Sequence, residues 1–214
     1  THGMTNLQLI LMLYPIANYI AMNGNAKTEY KILDIGSGSV GDSKECDYDN
    51  WLSARKGKAP SFRPWLARVL HHAGLHVTAV DYGCLQGEPY KCYTSDLLEE
   101  DALREIPDGG IDIAHSRLLF SSPQLEQIVR KRRMCGDDEF VQRYETVQGK
   151  LKIDGGSQVP AIFLAQALEP QIARVLTADG VYITDSWPLE KGILSLKREG
   201  GITTYLTKNQ PKPI

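Results

Sequence analysis

Residues Tyr30–Asp42 read YKILDIGSGSVGD. An apolar run stops at an acid, Asp34, and glycines follow at Gly36, Gly38 and Gly41. A short apolar run ended by glycine reads as a buried strand. Gly36 and Gly38 let the backbone turn tightly and come close to a ligand where a Cβ would clash. The three glycines also satisfy G-x-G-x-x-G, a pattern that means little without its strand context. The plainer reading is a tight turn that holds nothing.

The rest of the chain supplies that context. Leu75–Asp81 (LHVTAVD) and Tyr90–Asp96 (YKCYTSD) are two more strands that end in acids. Ile111–Phe120 (IDIAHSRLLF) is a fourth strand running into a loop, and Gly180–Trp187 (GVYITDSW) a fifth. Helices are predicted between them. One covers Ser61–Gly74, capped by Ser61, striped by Trp65, Leu66, Val69 and Leu70, and closed by Gly74. A short one covers Leu97–Ile106, stopped by Pro107-Asp108-Gly109-Gly110, and a long one Val159–Leu176. Alternating strands and helices predict an α/β fold: a doubly wound, mostly parallel sheet with helices on both faces. Gly192–Lys208 reads either as a hairpin turning at Glu199-Gly200-Gly201, a C-terminal antiparallel element, or as a last helix and one edge strand. Ligands of such sheets bind beyond the carboxyl ends of the strands. Asp34, Asp81, Asp96, His115 and Asp185 all fall at or near those ends.

Two segments exceed a minimal domain of this kind. Asp42–Pro60 separates the glycine turn from its helix, and Pro123–Ser157 carries a helical pattern, EQIVRKRRMCGDDEFVQRYETV. Both are expected on the ligand side, as lids or substrate walls, with simple packing as the alternative. Tyr48 and Trp51 in the first could wall off a small acceptor.

At 214 residues the chain fits a single domain. A net charge of -2 makes no global case for nucleic acid or an anionic membrane. Arg130-Lys131-Arg132-Arg133 is followed by GDDE, the pattern of a solvated helix face more than of a phosphate-binding one. Cys46, Cys84, Cys92 and Cys135 form no CxxC and no metal-ligand spacing, so they read as reduced thiols of a cytoplasmic protein that holds no metal. Thr1-His2-Gly3 has the look of an expression remnant. Within the N-terminal helical segment 4–29, Asn6–Met22 is the most apolar stretch. Pro15 and Asn18 interrupt it, so it is expected to pack on the domain or on a partner chain, which leaves a homodimer open, and not to span a membrane.

With these elements in place, D-x-G-x-G at Asp34–Gly38 resembles the first motif of the class I S-adenosylmethionine-dependent methyltransferases. VTAVDY at the second strand, TSDLL after the third, IPDGGIDIAHSRLL around the fourth and ARVLTADGVYITDS through the fifth resemble the same family, in its order, from Tyr30 to Ser186. The resemblance implies S-adenosylmethionine as cofactor. Asp34 with the backbone of Gly36, Ser37 and Gly38 would hold its amino-acid end. Asp81 would accept the ribose hydroxyls, Tyr82 would pack beside the adenine, Asp96 would take the adenine amino group, and Leu97 would lie against the ring. His115 and Ser116 would lie near the sulfonium, with His115 or Asp185 as base if the acceptor must lose a proton. The expected acceptor is a small molecule.

The sequence also departs from the family. Val40 stands where a third glycine is usual, and GCLQGEP between the second and third strands is too short for a helix. No Asn-Pro-Pro-Tyr-like signature follows the fourth strand, so base amino-methylation lacks support. Two rivals remain at this level. A nicotinamide-dependent oxidoreductase would explain the glycines and Asp81. However, Asp81 lies much farther from Gly36 than the roughly 20 residues of the dinucleotide fingerprint, and no Tyr-x-x-x-Lys pair is present. A non-catalytic binder or scaffold of the methyltransferase fold would tolerate the altered glycine turn.

Overall fold

The structure is a computed structural model that describes residues 6–23, 29–38, 63–117, 119–120, 123–151, 159–189, 192–200 and 203–208. Gly41, Ser61, the Asp42–Pro60 insertion with Tyr48 and Trp51, and the end of the second insertion lie outside the described residues.

The sheet grows in both directions from β1 (Lys31–Ile35). To one side stand β2 (His76–Asp81) and then β3 (Lys91–Thr94). To the other stand β4 (Ile111–Ser116) and β5 (Leu176–Thr184), followed by β7 (Thr203–Lys208) and, at the edge, β6 (Leu194–Gly200). The order is β3-β2-β1-β4-β5-β7-β6. Strands β1 to β5 are parallel, whereas β7 runs antiparallel to both β5 and β6. The expected doubly wound sheet is therefore present, and the hairpin reading of the C-terminal segment holds.

Strands buried on both faces need apolar residues at nearly every position, which is why KILDI and IDIAHS read as runs and not alternations. Side chains still alternate between the faces. Ile32, Ile113, Val181 and Ile183 meet Ile16 of α1 (Asn6–Asn23) and Leu66 and Leu70 of α2 (Trp65–His72) on one face. Leu33, Ile35, Ala114 and Tyr182 meet the second layer on the other. That layer is α3 (Pro123–Met134), α4 (Asp138–Leu151) and α5 (Val159–Val175), joined through Ile128, Phe140, Phe163 and Leu168. Helix α1 is anchored by two hydrogen bonds one turn apart: Tyr205 of β7 donates to the Pro15 carbonyl at 3.5 Å, and Tyr19 donates to the Asp179 carbonyl at 3.1 Å. Among the described residues no helix is long and apolar enough to cross a membrane.

Three expected elements differ in the structure. Helix α2 starts at Trp65, not near Ser61, because Pro64 is its N-cap in a non-helical conformation and supplies no side-chain cap. Its end is as read: Gly74 adopts a φ of 84°, and the amides of Gly74 and Leu75 bond back to His71 and Leu70, the paired bonds of a glycine-terminated helix. Leu97–Ile106 is not a helix. Its amides reach three residues back in separate turns (Glu99 to Asp96, Ala102 to Glu99, Arg104 to Asp101, Ile106 to Leu103). Tertiary partners take the groups a helix would use. The Leu103 amide donates to the Gln171 side chain at 2.7 Å, and Arg174 donates to the carbonyls of Leu103 and Ile106 at 2.7 and 2.9 Å. Finally, β5 begins at Leu176. Pairing jumps from Ile111–Leu176 to Ile113–Val181, so the Thr177–Gly180 turn is absorbed as an irregularity within the strand. Gly180 fits there because a Cβ would stand 3.0 Å from the Ile111 carbonyl oxygen.

The short connection from β2 to β3 carries an ion pair in place of a helix. Arg68 of α2 donates from Nε to both oxygens of Glu88, at 3.1 and 3.0 Å, and stacks its guanidinium over Trp65. The hydrogen bond from Arg68 holds the Glu88 carboxyl below its ordinary value near 4.5. A depressed folded-state pKa stabilises the fold above the unfolded value, and that stabilisation disappears as pH falls through the folded value. Glu88→Gln is therefore expected to cost about 1–3 kcal/mol at pH 7. The gap between wild type and variant should close as pH drops below about 4.5, as measured by urea denaturation across pH.

Candidate functional site

The carboxyl ends of β1, β2 and β3 are tied together by one residue. Asp81, the last residue of β2, accepts the Gly38 amide on Oδ2 at 2.8 Å and the Gly83 amide on Oδ1 at 2.7 Å. Its own carbonyl accepts the Ser95 amide at 2.8 Å, and the Val80 carbonyl accepts the Gly36 amide at 2.8 Å. The glycine turn after β1 and the loops after β2 and β3 are thus held on the end of one strand. Gly36 and Gly38 have φ of 70° and 98°, a region L side chains rarely adopt, which is the conformational reason for glycine at both positions. Ser37 between them is half-buried, its hydroxyl 3.4 Å from the Gly38 carbonyl.

Asp34 lies one strand residue below the turn and is only 2% exposed. Its Oδ1 is 3.1 Å from Nδ1 of His115, its register partner on β4. An ionised carboxylate only accepts, so this contact keeps the proton on Nδ1 of the ring. The other oxygen, Oδ2, is buried with no hydrogen-bond partner among the described residues. Native proteins rarely leave such an atom unsatisfied, and one beneath a glycine turn is a feature that a ligand cation would complete.

The remaining expected residues are placed as follows. His115 is 3% exposed on the α1/α2 face, and Ser116 is fully buried on the α5 face. Ser116 Oγ is 2.6 Å from the Tyr182 hydroxyl and donates to Thr184 Oγ1 at 3.2 Å, and burial pushes the Tyr182 hydroxyl pKa up. Ser116 and His115 therefore diverge on opposite faces of β4. Asp185 follows β5 at its carboxyl end, half-buried. Tyr82 is half-buried beside Asp81, and Leu97 is buried in the core on the α5 side. Asp96 accepts the Leu98 amide on Oδ1 at 3.0 Å and Arg132 of α3 on Oδ2 at 2.5 Å. A groove of about 600 Å³ lies at the opposite, amino ends of the strands, by Lys31, His76 and Lys91, away from these residues.

Two features were not anticipated from the sequence. One is the Ser116–Tyr182–Thr184 hydroxyl cluster, whose only signal was the matched alternation of two strands not known to be neighbours. The other is the pairing of Arg132 with Asp96, where the basic run reads as a solvated helix face.

No family model matches the sequence, and no curated protein matches it. Solved structures do match. Monomeric WbdD, described elsewhere as a bifunctional kinase-methyltransferase, is 14% identical, with 100% of this chain and 44% of that chain covered at a TM-score of 0.48. A SAM-dependent methyltransferase from Archaeoglobus fulgidus is 12% identical, with 82% and 52% covered and a TM-score of 0.36. A TehB-like SAM-dependent methyltransferase from Corynebacterium glutamicum is 14% identical, with 96% and 100% covered and a TM-score of 0.37. The chain spans about half the length of the first two. The strand order, with β7 reversed between β5 and β6, is typical of class I methyltransferases.

Gly36→Ala tests the turn. The substitution places a methyl 2.9 Å from Leu119 Cδ1 and forces an L residue to a φ of 70°. A loss of about 1–2 kcal/mol is expected in chemical denaturation, mostly from the backbone conformation, because Leu119 can yield.

Proposed function

We propose that this protein binds S-adenosylmethionine at the glycine turn and transfers its methyl group to a small-molecule acceptor. The observation that carries the reading is the pairing of an unsatisfied, buried Asp34 oxygen with two positive-φ glycines directly above it. A cationic amino group would satisfy that oxygen, and the glycines admit backbone contact with the rest of an amino-acid moiety. Asp81, its orientation fixed by its amide bonds, would accept the ribose hydroxyls. When bound, the cofactor supplies an activated methyl group on a sulfonium, so positioning does much of the work.

In this reading His115 orients Asp34 through Nδ1, and Asp185, half-buried at the strand end, is the residue that would take a proton from an acidic acceptor. A small acceptor is favoured over nucleic acid by the fate of the basic run. Arg132 is bound to Asp96, Glu99 and Asp137, and Arg133 contacts Glu145 and stacks on Tyr144.

Calorimetric titration with S-adenosylmethionine, S-adenosylhomocysteine and NADH in parallel tests the reading. The two adenosyl ligands are expected to bind and NADH not. Asp81→Ala should weaken their binding about 10- to 100-fold, the loss of hydrogen bonds to a charged group worth about 1.5–3 kcal/mol. Binding of NADH alone would point to an oxidoreductase, and binding of none to a scaffold.

A further inference from the structure

Arg132 belongs to the second insertion, yet it ends at the carboxyl end of the third strand. One guanidinium contacts Asp96 Oδ2 at 2.5 Å, Glu99 Oε1 at 2.6 Å and Asp137 Oδ2 at 2.7 Å, with its plane over the Phe140 ring at 4.8 Å. Its reach is fixed from both sides. Gly136 (φ 72°) closes α3, with the Gly136 and Asp137 amides bonded to Arg133 and Arg132, and Asp137 then caps α4 through the Phe140 amide at 3.2 Å. The MCGDDEF turn therefore brings Asp137 back under Arg132. Asp96 is equally constrained: one oxygen accepts Leu98 N, the other accepts Arg132, and the side chain is 13% exposed.

A carboxylate that accepts an amide on one oxygen and a guanidinium on the other presents acceptor lone pairs to a ligand. It welcomes a ligand N–H and repels a ligand carbonyl. The structure assigns Arg132, we infer, as a positioning residue that holds Asp96 to select a purine with an exocyclic amino group over one with an oxo group in that place. This rests on the cofactor reading above. It also makes the second insertion part of cofactor recognition, where a lid or substrate wall was expected.

The full chain is titrated with S-adenosylhomocysteine and with its 6-oxo analogue, S-inosylhomocysteine, and the affinity ratio is the readout. Wild type is expected to favour the adenosyl ligand at least tenfold. Arg132→Gln should reduce that ratio about tenfold, and Arg132→Lys, which keeps the charge but not the planar fork, should fall between. Arg133→Gln, which loses the Glu145 pair and the Tyr144 stacking in the same insertion, is the control for general loosening. It should lower the melting temperature yet keep the ratio. If Arg132→Gln does not fold, Arg132→Lys and Arg133→Gln decide. An unchanged ratio in the Arg132 variants, an equal fall in Arg133→Gln, or a wild type that binds both ligands alike overturns the inference alone. A wild type that binds neither ligand overturns the cofactor reading and this inference with it.

Discussion

The bond pair made by the Asp81 carboxylate organises the ligand side of this molecule. A parallel sheet leaves its carboxyl ends as separate loops, each free to take its own course. Here the last side chain of β2 takes an amide from the loop before it in sequence and another from the loop after it. Since β2 lies between β1 and β3 in the sheet, the same residue also reaches the other neighbour, its carbonyl accepting the Ser95 amide after β3. The glycines at 36 and 38 have value only because their turn is held to that carboxylate and to the Val80 carbonyl. Without those bonds they would add chain entropy and no geometry.

Most of the sheet was legible in the sequence because its signals are local. Runs ended by acids or glycines marked β1, β2 and β3, and alternation of strand with helix implied parallel order. The failures are equally physical. Leu97–Ile106 has good helix formers, but Gln171 and Arg174, some seventy residues away, satisfy its backbone instead, and no local pattern reveals that. Ser61 is a good capping residue, yet Pro64 lies between it and the first helical turn. The Thr177–Gly180 turn was read as the boundary between helix and strand, whereas β4 pairs across it. At the site, the strand-end acids were identifiable from their positions. What each one bonds was not, because those partners come from different strands and from α3.

Arg132 shows the same limit for charge. On composition, the RKRR run followed by GDDE looks like a solvated face balanced along one helix. In space the balance is struck across three elements. The guanidinium meets a strand-end acid, a loop acid and the next helix's capping acid, while Arg143 meets Glu99 and Glu100 nearby. Burial disfavours the Arg132 charge, but the Asp96 hydrogen bond and the surrounding carboxylates outweigh it and raise the pKa. The exposed basic surface is correspondingly smaller than the sequence implies.

The contact between Tyr205 and the Pro15 carbonyl has a consequence for how this chain matures. Helix α1 leaves the ribosome long before β7 exists, yet part of the surface it rests on is Tyr205. Until β7 enters between β5 and β6, the β5 edge is open and α1 covers an unfinished face. Contacts so distant along the chain form slowly, because loop closure must come first. The open edge of β5 is then the exposed strand that a nascent chain must keep from pairing with a neighbour.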